Sequence, residues 1–375
     1  MENCILIHYG EIGLKGKNRG FFEKKLVENI RSLSGLRARR VTGRIEADWP
    51  SENPDAALKT LSNIFGISSY SPAVAITTDL AAIKKGVLDL IKRERGKTFK
   101  AETKRSYKQF ALNSMEISRE LGAHILKNTD LKVDVKTPDI ILSAEVLKNK
   151  TYIYTRRIDG PGGLPVGVSG KMLVLISGGI DSPAAAYLMM KRGASLDFVH
   201  FHSYPHTDKA STEKVKEILK VLGKYQKNST LYQAPIIDFQ KEVLKKSADR
   251  YRVILYRRLM YKVAEKIARA DGAKALVSGD NLGQVASQTI ENIAVISNGI
   301  SLPIMRPLIG FDKEEIISLA KKIGTYDISI EPQGDCCSVF LPKSPATKAR
   351  LEDVVGEERK INMEKWVNKV IKTVV

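Results

Sequence analysis

The sequence predicts an α/β protein in several domains, and three observations carry that reading. Residues 1–77 follow the order strand, helix, strand, strand, helix, strand. Residues 171–375 alternate apolar strands with helices, the pattern of a doubly wound parallel sheet. Between 159 and 170, five glycines and two prolines rule out any regular element and mark a linker.

Each element has a local cause. Ile5–Tyr9 is the first strand. A helix from about Gly20 to Leu33 places Phe22, Leu26, Val27 and Ile30 on one face, and Gly35 ends it. Arg37–Val41 and Arg44–Trp49 form a hairpin around Thr42 and Gly43. Asn53 and Pro54 open a second helix that runs to Phe65 before Gly66, and Ile67–Ile76 is the fourth strand. Residues 78–165 form a second α/β unit, whose first helix starts at Asp79 and buries Leu80, Ile83, Val87, Leu90 and Ile91. In the last domain the strands are Met172–Ile176, Leu196–Phe201, Thr230–Gln233 and Ala275–Ser278. Helices are expected at Pro183–Lys191, at Thr212–Leu222 and along one tract from Phe239 to Ala270.

Composition narrows the function. Of 375 residues, 43% are hydrophobic, enough for real cores, so a disordered tail or a disulfide-stapled mini-protein is excluded. Lys and Arg number 61 against 42 Asp and Glu, a net charge of +19, which points to a polyanionic partner, nucleic acid before membrane. From Ala81 to Gln109 there are ten Lys and Arg against three acids, with Tyr107 among them and Phe110 following. Lys100, Lys104, Arg105 and Lys108 are the candidates there for contact with RNA or DNA, against the alternative of a solvated helix face. No apolar run approaches a membrane span and no signal peptide opens the chain, so a cytoplasmic setting is expected. Three cysteines, Cys4, Cys336 and Cys337, form neither a disulfide framework nor a CxxC zinc clamp. His200, His202 and His206 lack a carboxylate or cysteine at ligand spacing, so no metal site is assigned to them.

The chemistry concentrates at LVLISGGIDSP, residues 173–183. A buried strand enters a small-residue turn and a helix starts at once, with Ser182 as expected N-cap and Pro183 at the first helical position. Such a turn presents free backbone N–H groups to phosphate, and Gly178 and Gly179 allow close approach. Asp181 beside phosphates implies an intervening cation, Mg²⁺. The turn is neither a GxxxxGK(S/T) P-loop nor a GxGxxG fingerprint. SGGxDS at the first strand of a parallel sheet resembles the PP-loop of adenylating ATP pyrophosphatases.

The whole chain, from Ile5 to about Pro345, resembles the tRNA 4-thiouridine synthetases of the ThiI family. The resemblance rests on residues 8–23 (HYGEIGLKGKNRGFFE), 160–183, 279–289 (GDNLGQVASQT) and 306–316 (RPLIGFDKEEI). His8 departs from it, since the family more often has Arg there. The resemblance implies a ferredoxin-like domain at 1–77, a THUMP RNA-binding domain at 78–165 (its boundary could start near 58) and a PP-loop domain at 171–375. No C-terminal rhodanese domain is expected before Val375. The implied reaction is adenylation of tRNA uridine 8 at its C4 oxygen by ATP, followed by displacement of AMP by persulfide sulfur. ATP contacts are implied for Leu175, Ile176, Ser177, Gly178, Gly179, Ser182, His200, Phe201, Arg257, Gly279 and Gln288, and catalysis for Asp181 and Lys313. The sulfur-bearing cysteine falls at Cys336 or Cys337. The implied partners are tRNA, a cysteine desulfurase as sulfur donor, a thiamine-pathway sulfur carrier protein in some relatives, and a second copy of the chain in a homodimer. The competing readings are a non-catalytic tRNA-binding protein, which the intact loop opposes, and another PP-loop tRNA modification, whose enzymes generally lack the N-terminal pieces.

Overall fold

In the computed structural model, which describes residues 1–50, 52–206, 210–332 and 340–375, the chain divides into two units, Met1–Pro165 and Val166–Val375. The first unit runs β1 (Glu2–His8), α1 (Arg19–Ser34), β2 (Ala38–Val41), β3 (Arg44–Asp48), α2 (Pro54–Leu61) and β4 (Ser69–Thr77). It continues through α3 (Leu80–Ile91), β5 (Thr98–Arg105), α4 (Ser114–Asn128), β6 (Lys132–Val133), β7 (Ile140–Val146), β8 (Lys150–Tyr154) and β9 (Ile158–Asp159). Leu26, Val27 and Ile30 of α1 pack into one core with Ile5 and Ile7 of β1. Gly35, at φ 72°, ends α1 in the left-handed conformation. The Asn53 carboxamide accepts the Ala56 N–H at 3.2 Å and caps α2. That helix stops at Leu61 rather than at Phe65. The Ser62 hydroxyl and the Asn63 amide both donate to the Lys59 carbonyl, at 2.6 and 3.5 Å, and take it away from the helical ladder.

Strand order β2-β3-β1-β4 is the antiparallel ferredoxin-like arrangement, and the sheet then continues from β4 to β8, β7, β5 and β6. β4 is therefore flanked by β1 on one edge and by β8 on the other, with β9 also paired to it. Two carboxylates are buried at this sheet. Glu46 is held by Arg39, by Tyr152 and by Lys150 at 3.3 Å. Glu145 is held by Arg44, by His8 Nε2 at 2.9 Å and by Tyr154 at 2.8 Å. Burial opposes the Glu145 charge, but the bonds from His8, Arg44 and Tyr154 outweigh it and bring the carboxyl down to about 2. His8 and Arg44 thus share one buried carboxylate.

The second unit runs β10 (Lys171–Leu175), α5 (Asp181–Lys191), β11 (Ser195–His202), α6 (Ala210–Leu222), β12 (Leu231–Pro235), α7 (Ile237–Lys246), α8 (Arg252–Ala270) and β13 (Ala275–Val277). Then come α9 (Ile290–Ser297), β14 (Ile304–Met305), α10 (Lys313–Ile323), α11 (Tyr326–Ile330), α12 (Leu351–Ile361) and α13 (Met363–Ile371). All five strands are parallel in the order β12-β11-β10-β13-β14. The order reverses between β10 and β13, and ligands of doubly wound sheets bind at the carboxyl edge of such a switch point. The expected Phe239–Ala270 tract is two helices. Ala248 is extended, and its N–H leaves the ladder for Glu357 at 3.0 Å. Among the described residues no helix is long and apolar enough to cross a membrane.

Candidate functional site at the switch of the parallel sheet

Buried Leu173 and Val174 carry β10 into the turn at Ser177. The turn closes on itself: the Ser177 N–H donates to Ser182 Oγ at 2.9 Å, and the two hydroxyls lie 3.1 Å apart. Helix α5 opens at Asp181, so Ser182 is its second residue and not the expected N-cap, and Pro183 is the third. The serine hydroxyl fastens the loop, while Pro183 still falls in the first turn, where its missing N–H leaves nothing unpaired.

Packing requires glycine at one of the three positions here and crowds a second. A Cβ on Gly279, just beyond β13, would stand 2.8 Å from the Ser182 nitrogen and 2.9 Å from the Asp181 carbonyl carbon. A Cβ on Gly178 would meet the Lys214 stem at 3.0 Å. Gly179 differs: its nearest neighbour would be Ser177 Oγ at 3.7 Å, so the protein itself leaves room for a side chain there. The space beside Gly179 suits an anion drawn close to the backbone.

Between β10 and β13 opens a cavity of about 250 Å³. Leu175, Ile176, Ser177, Asp181, Ser182, Phe201, Arg257, Gly279 and Gln288, all candidates from the sequence analysis, are brought together in its lining. Gly178 and Gly179 lie outside the lining, on the same turn. His200 is buried on β11, its Nδ1 3.2 Å from the Ile176 carbonyl oxygen. Lys313, the first residue of α10, donates to Asp181 Oδ1 at 3.1 Å, and Gln284 donates to Oδ2 at 3.3 Å. Asp312 caps α10 and so fixes where Lys313 projects. Among the described residues the buried Gln288 side-chain oxygen has no hydrogen-bond partner, leaving an acceptor for a ligand donor. Cys336 and Cys337 lie outside the described residues. Among the described residues no cluster of three or more His, Cys, Asp or Glu side chains could hold a metal ion, and His200 and His202 stack with ring centroids 6.3 Å apart.

Sequence reasoning missed the charge beneath this cavity. Asp280 is 4% exposed and accepts from Arg257, from Tyr261 at 2.8 Å, from Ser278 at 2.9 Å and from Arg306 at 3.1 Å. Burial opposes ionisation, but Arg257, Tyr261, Arg306 and Ser278 outweigh it and hold the carboxyl at about 2. A carboxylate depressed on folding stabilises fully above its unfolded pKa of ~3.9 and loses that contribution as pH falls through about 2. At neutral pH the contribution is about 2 kcal/mol. Asp280→Asn should remove this acid dependence and, by leaving two arginines without their anion, destabilise the Val166–Val375 unit by ~3 kcal/mol at pH 7. Urea unfolding at pH 7 and pH 3 checks it, and an unchanged difference between the two pH values would refute the assignment. Val253 and Met260, one turn to either side of the expected Arg257 on α8, were also missed. Their helical spacing is the signal that could have found them.

Lys214, 7% exposed, is the other unforeseen group. Its amine donates to the Ser329 and Glu331 carbonyls at 2.9 and 2.7 Å, and burial lowers its pKa.

In the first unit the basic stretch splits over α3 and β5. Strand alternation places Lys100 and Lys104 on the face of β5 opposite buried Phe99, with Glu102 between them, and Lys108 is exposed in the following loop. Arg105 turns the other way and spends one guanidinium nitrogen on the carbonyls of Lys108, Phe110 and Leu112, at 3.1, 3.0 and 3.3 Å. If Lys100 and Lys104 contact phosphates, their double replacement by Ala should weaken tRNA binding and lower the salt slope by up to ~0.9 per lost contact. Binding measured across a salt series checks it, and an unchanged slope would mark a solvated face.

Comparison with known proteins agrees with this architecture. The family model described as thiamine biosynthesis protein (ThiI) matches residues 167–363, the ThiI ferredoxin-like domain matches 4–71, and the THUMP domain matches 77–156. A probable tRNA sulfurtransferase of Caldanaerobacter subterraneus is 47% identical over 373 residues, covering 98% of both chains. One from Acetivibrio thermocellus is 47% identical over 382 residues, covering 99% of this chain and 97% of its own. Among solved structures, a 4-thiouridine synthetase–RNA complex with bound ATP superposes with a TM-score of 0.92 at 40% identity, covering 100% of this chain and 99% of the other.

Proposed function

The chain belongs to the ThiI family of tRNA sulfurtransferases, and we propose that its ATP-dependent thiolation of tRNA passes through an adenylated uridine, at tRNA position 8, and an enzyme persulfide. The observation that carries this reading is the convergence, at one sheet switch point, of the Ser177–Asp181 turn, Gly279, Arg257, Gln288 and the Asp181–Lys313 pair. Leu175, Ile176 and Phe201 supply apolar surface for adenine, and the unpartnered Gln288 oxygen suits its exocyclic amine. His200 supports Ile176 through its carbonyl. Ser177, Gly178, Gly179 and the start of α5 receive the phosphates, and Ser182 holds that loop closed. Mg²⁺, which binds through one carboxylate plus phosphate oxygens, fits Asp181 and would supply neutralising charge there. Lys313 places a second positive charge where pyrophosphate departs.

The uridine C4 oxygen attacks the α-phosphorus and pyrophosphate leaves. The terminal sulfur of a persulfide on Cys336 or Cys337 then attacks C4 and AMP leaves. An external thiol reductant opens the remaining S–S bond, releasing 4-thiouridine and, after a second thiol equivalent, the free cysteine. The reading includes a cysteine desulfurase as donor, a thiamine-pathway carrier protein as a second sulfur acceptor, a homodimer and a cytoplasmic setting. Lys100, Lys104, Arg105 and Lys108 belong to its RNA-contacting surface. The test is incubation with ATP, unmodified tRNA and a sulfur source, followed by nucleoside digestion. The expected product is 4-thiouridine made only when ATP is present, and its absence would overturn the route.

A further inference from the structure

A second cavity, of about 400 Å³, lies against the first and shares Val253, Val285 and Ser287 with it. Its volume falls in the range of small-ligand pockets, and its remaining lining is mostly apolar, including Ile254, Leu341 and Pro342. The cavity is built rather than incidental. Asn292, fully buried, donates to the carbonyls of Ala286 and Ala346, both at 2.7 Å, and so ties two segments of the lining together. Its own oxygen accepts the Ala349 N–H at 3.0 Å. At the shared wall, Arg257 donates to the Ser287 carbonyl at 3.2 Å. A guanidinium therefore stands where contents of the two cavities would meet. Arg250 also lines the cavity, its guanidinium 5.3 Å from the Tyr251 ring centroid.

We propose that this second cavity receives the uracil base to be thiolated, lifted out of the tRNA. The inference rests on the thiolation reading and deepens it. Adenylation joins an oxygen of the base to the α-phosphorus of ATP, so the two substrates need adjoining compartments with an open boundary. An enzyme acting on a base inside folded RNA must first take it out of its stack, and the extruded ring gains from apolar walls that grip its faces. A cavity that adjoins the nucleotide site across Val253, Val285 and Ser287, is apolar on its sides and has Arg257 bonded to the Ser287 carbonyl at the junction fits that arrangement. Arg250 supplies positive charge for the phosphate next to the flipped nucleotide.

Two measurements test it. Ala286→Phe fills the cavity from a wall whose side chain takes no part in the first one. The variant is expected to bind ATP and tRNA within threefold of the unaltered protein and to thiolate at least 100-fold more slowly. Wild-type rate in the variant overturns the inference, as does a tenfold loss of ATP affinity, which would mean that ATP itself occupies the space. The second measurement needs no variant. 4-Thiouridine is photoreactive, so near-ultraviolet irradiation of product tRNA bound to the unaltered protein should cross-link it to peptides holding Val253, Val285 or Leu341. Cross-links confined to other peptides overturn the inference even if Ala286→Phe fails to fold. Failure of the thiolation reading is separate, since it would appear as unaltered protein, ATP, tRNA and sulfur yielding no 4-thiouridine.

Discussion

Asp181→Ala is expected to lower tRNA thiolation at least 10³-fold while leaving tRNA affinity within threefold. The carboxylate is the first side chain of α5, beside backbone N–H groups that favour phosphate. An anion beside phosphates helps by recruiting positive charge, and the structure shows it doing so through Lys313 at 3.1 Å, while the neutral Gln284 amide donates to its other oxygen at 3.3 Å. Its removal frees Lys313 from its anchor and takes away the carboxylate proposed to meet Mg²⁺. A 10³-fold loss corresponds to about 4 kcal/mol of transition-state stabilisation, the size of effect reported for a single well-placed electrostatic group. Single-turnover 4-thiouridine formation and filter binding of tRNA measure the two quantities. Equal loss of both would put Asp181 on the RNA rather than on the nucleotide.

The double variant Cys336→Ser/Cys337→Ser should lose persulfide-driven thiolation by a similar or larger factor yet still form the adenylate. Sulfur transfer requires a thiolate. Among the described residues the structure shows one cysteine, and it is unfit: Cys4 is 1% exposed, and burial, reinforced by the Glu46 charge, pushes its thiol up to about 12. At pH 7 about one Cys4 thiol in 10⁵ would be ionised. Cys4→Ala is accordingly expected to thiolate within twofold of the unaltered protein. Adjacent cysteines rarely bridge each other, because the peptide between them must distort. One of the pair is therefore expected to carry sulfur while the other assists, with turnover dependent on added reductant. Wild-type thiolation by the double variant with a persulfide donor would sink the covalent route and favour free sulfide as the attacking species.

What could be read ahead of the structure follows from which interactions are local. The Ser177–Asp181 turn was legible because strand, turn and helix start are consecutive and their residue types agree. Lys313 came from the family resemblance over residues 306–316, and the structure adds why it projects as it does, through the Asp312–Glu315 capping box. Ser182 was misplaced because N-cap preference concerns only its own helix, whereas the hydroxyl turns back to Ser177. Asp280 was invisible as a hub because its partners come from α8, from the end of β13 and from beyond β14. No spacing rule connects positions 257, 280 and 306. The α7–α8 break was hidden for a related reason: apolar residues continue on both sides of it, while the carboxylate that takes the Ala248 N–H belongs to α12. Nothing local marks Lys214 among the lysines of its helix, because the two carbonyls that hold its amine lie more than a hundred residues away, at Ser329 and Glu331.

The doubly flanked position of β4 has a consequence for how the first unit comes apart. Its residues Val74–Thr77 pair with Ile153–Lys150, while Glu2–His8 of β1 pair along nearly its whole length. Peeling away the ferredoxin-like half would bare the β8 edge of the other half, an invitation to chain-to-chain pairing. The two halves should therefore melt as one cooperative block, with the β4 amides among the slowest in the unit to exchange with deuterated solvent. A fragment beginning at residue 78 should aggregate, whereas one that retains residues 1–165 should stay monodisperse.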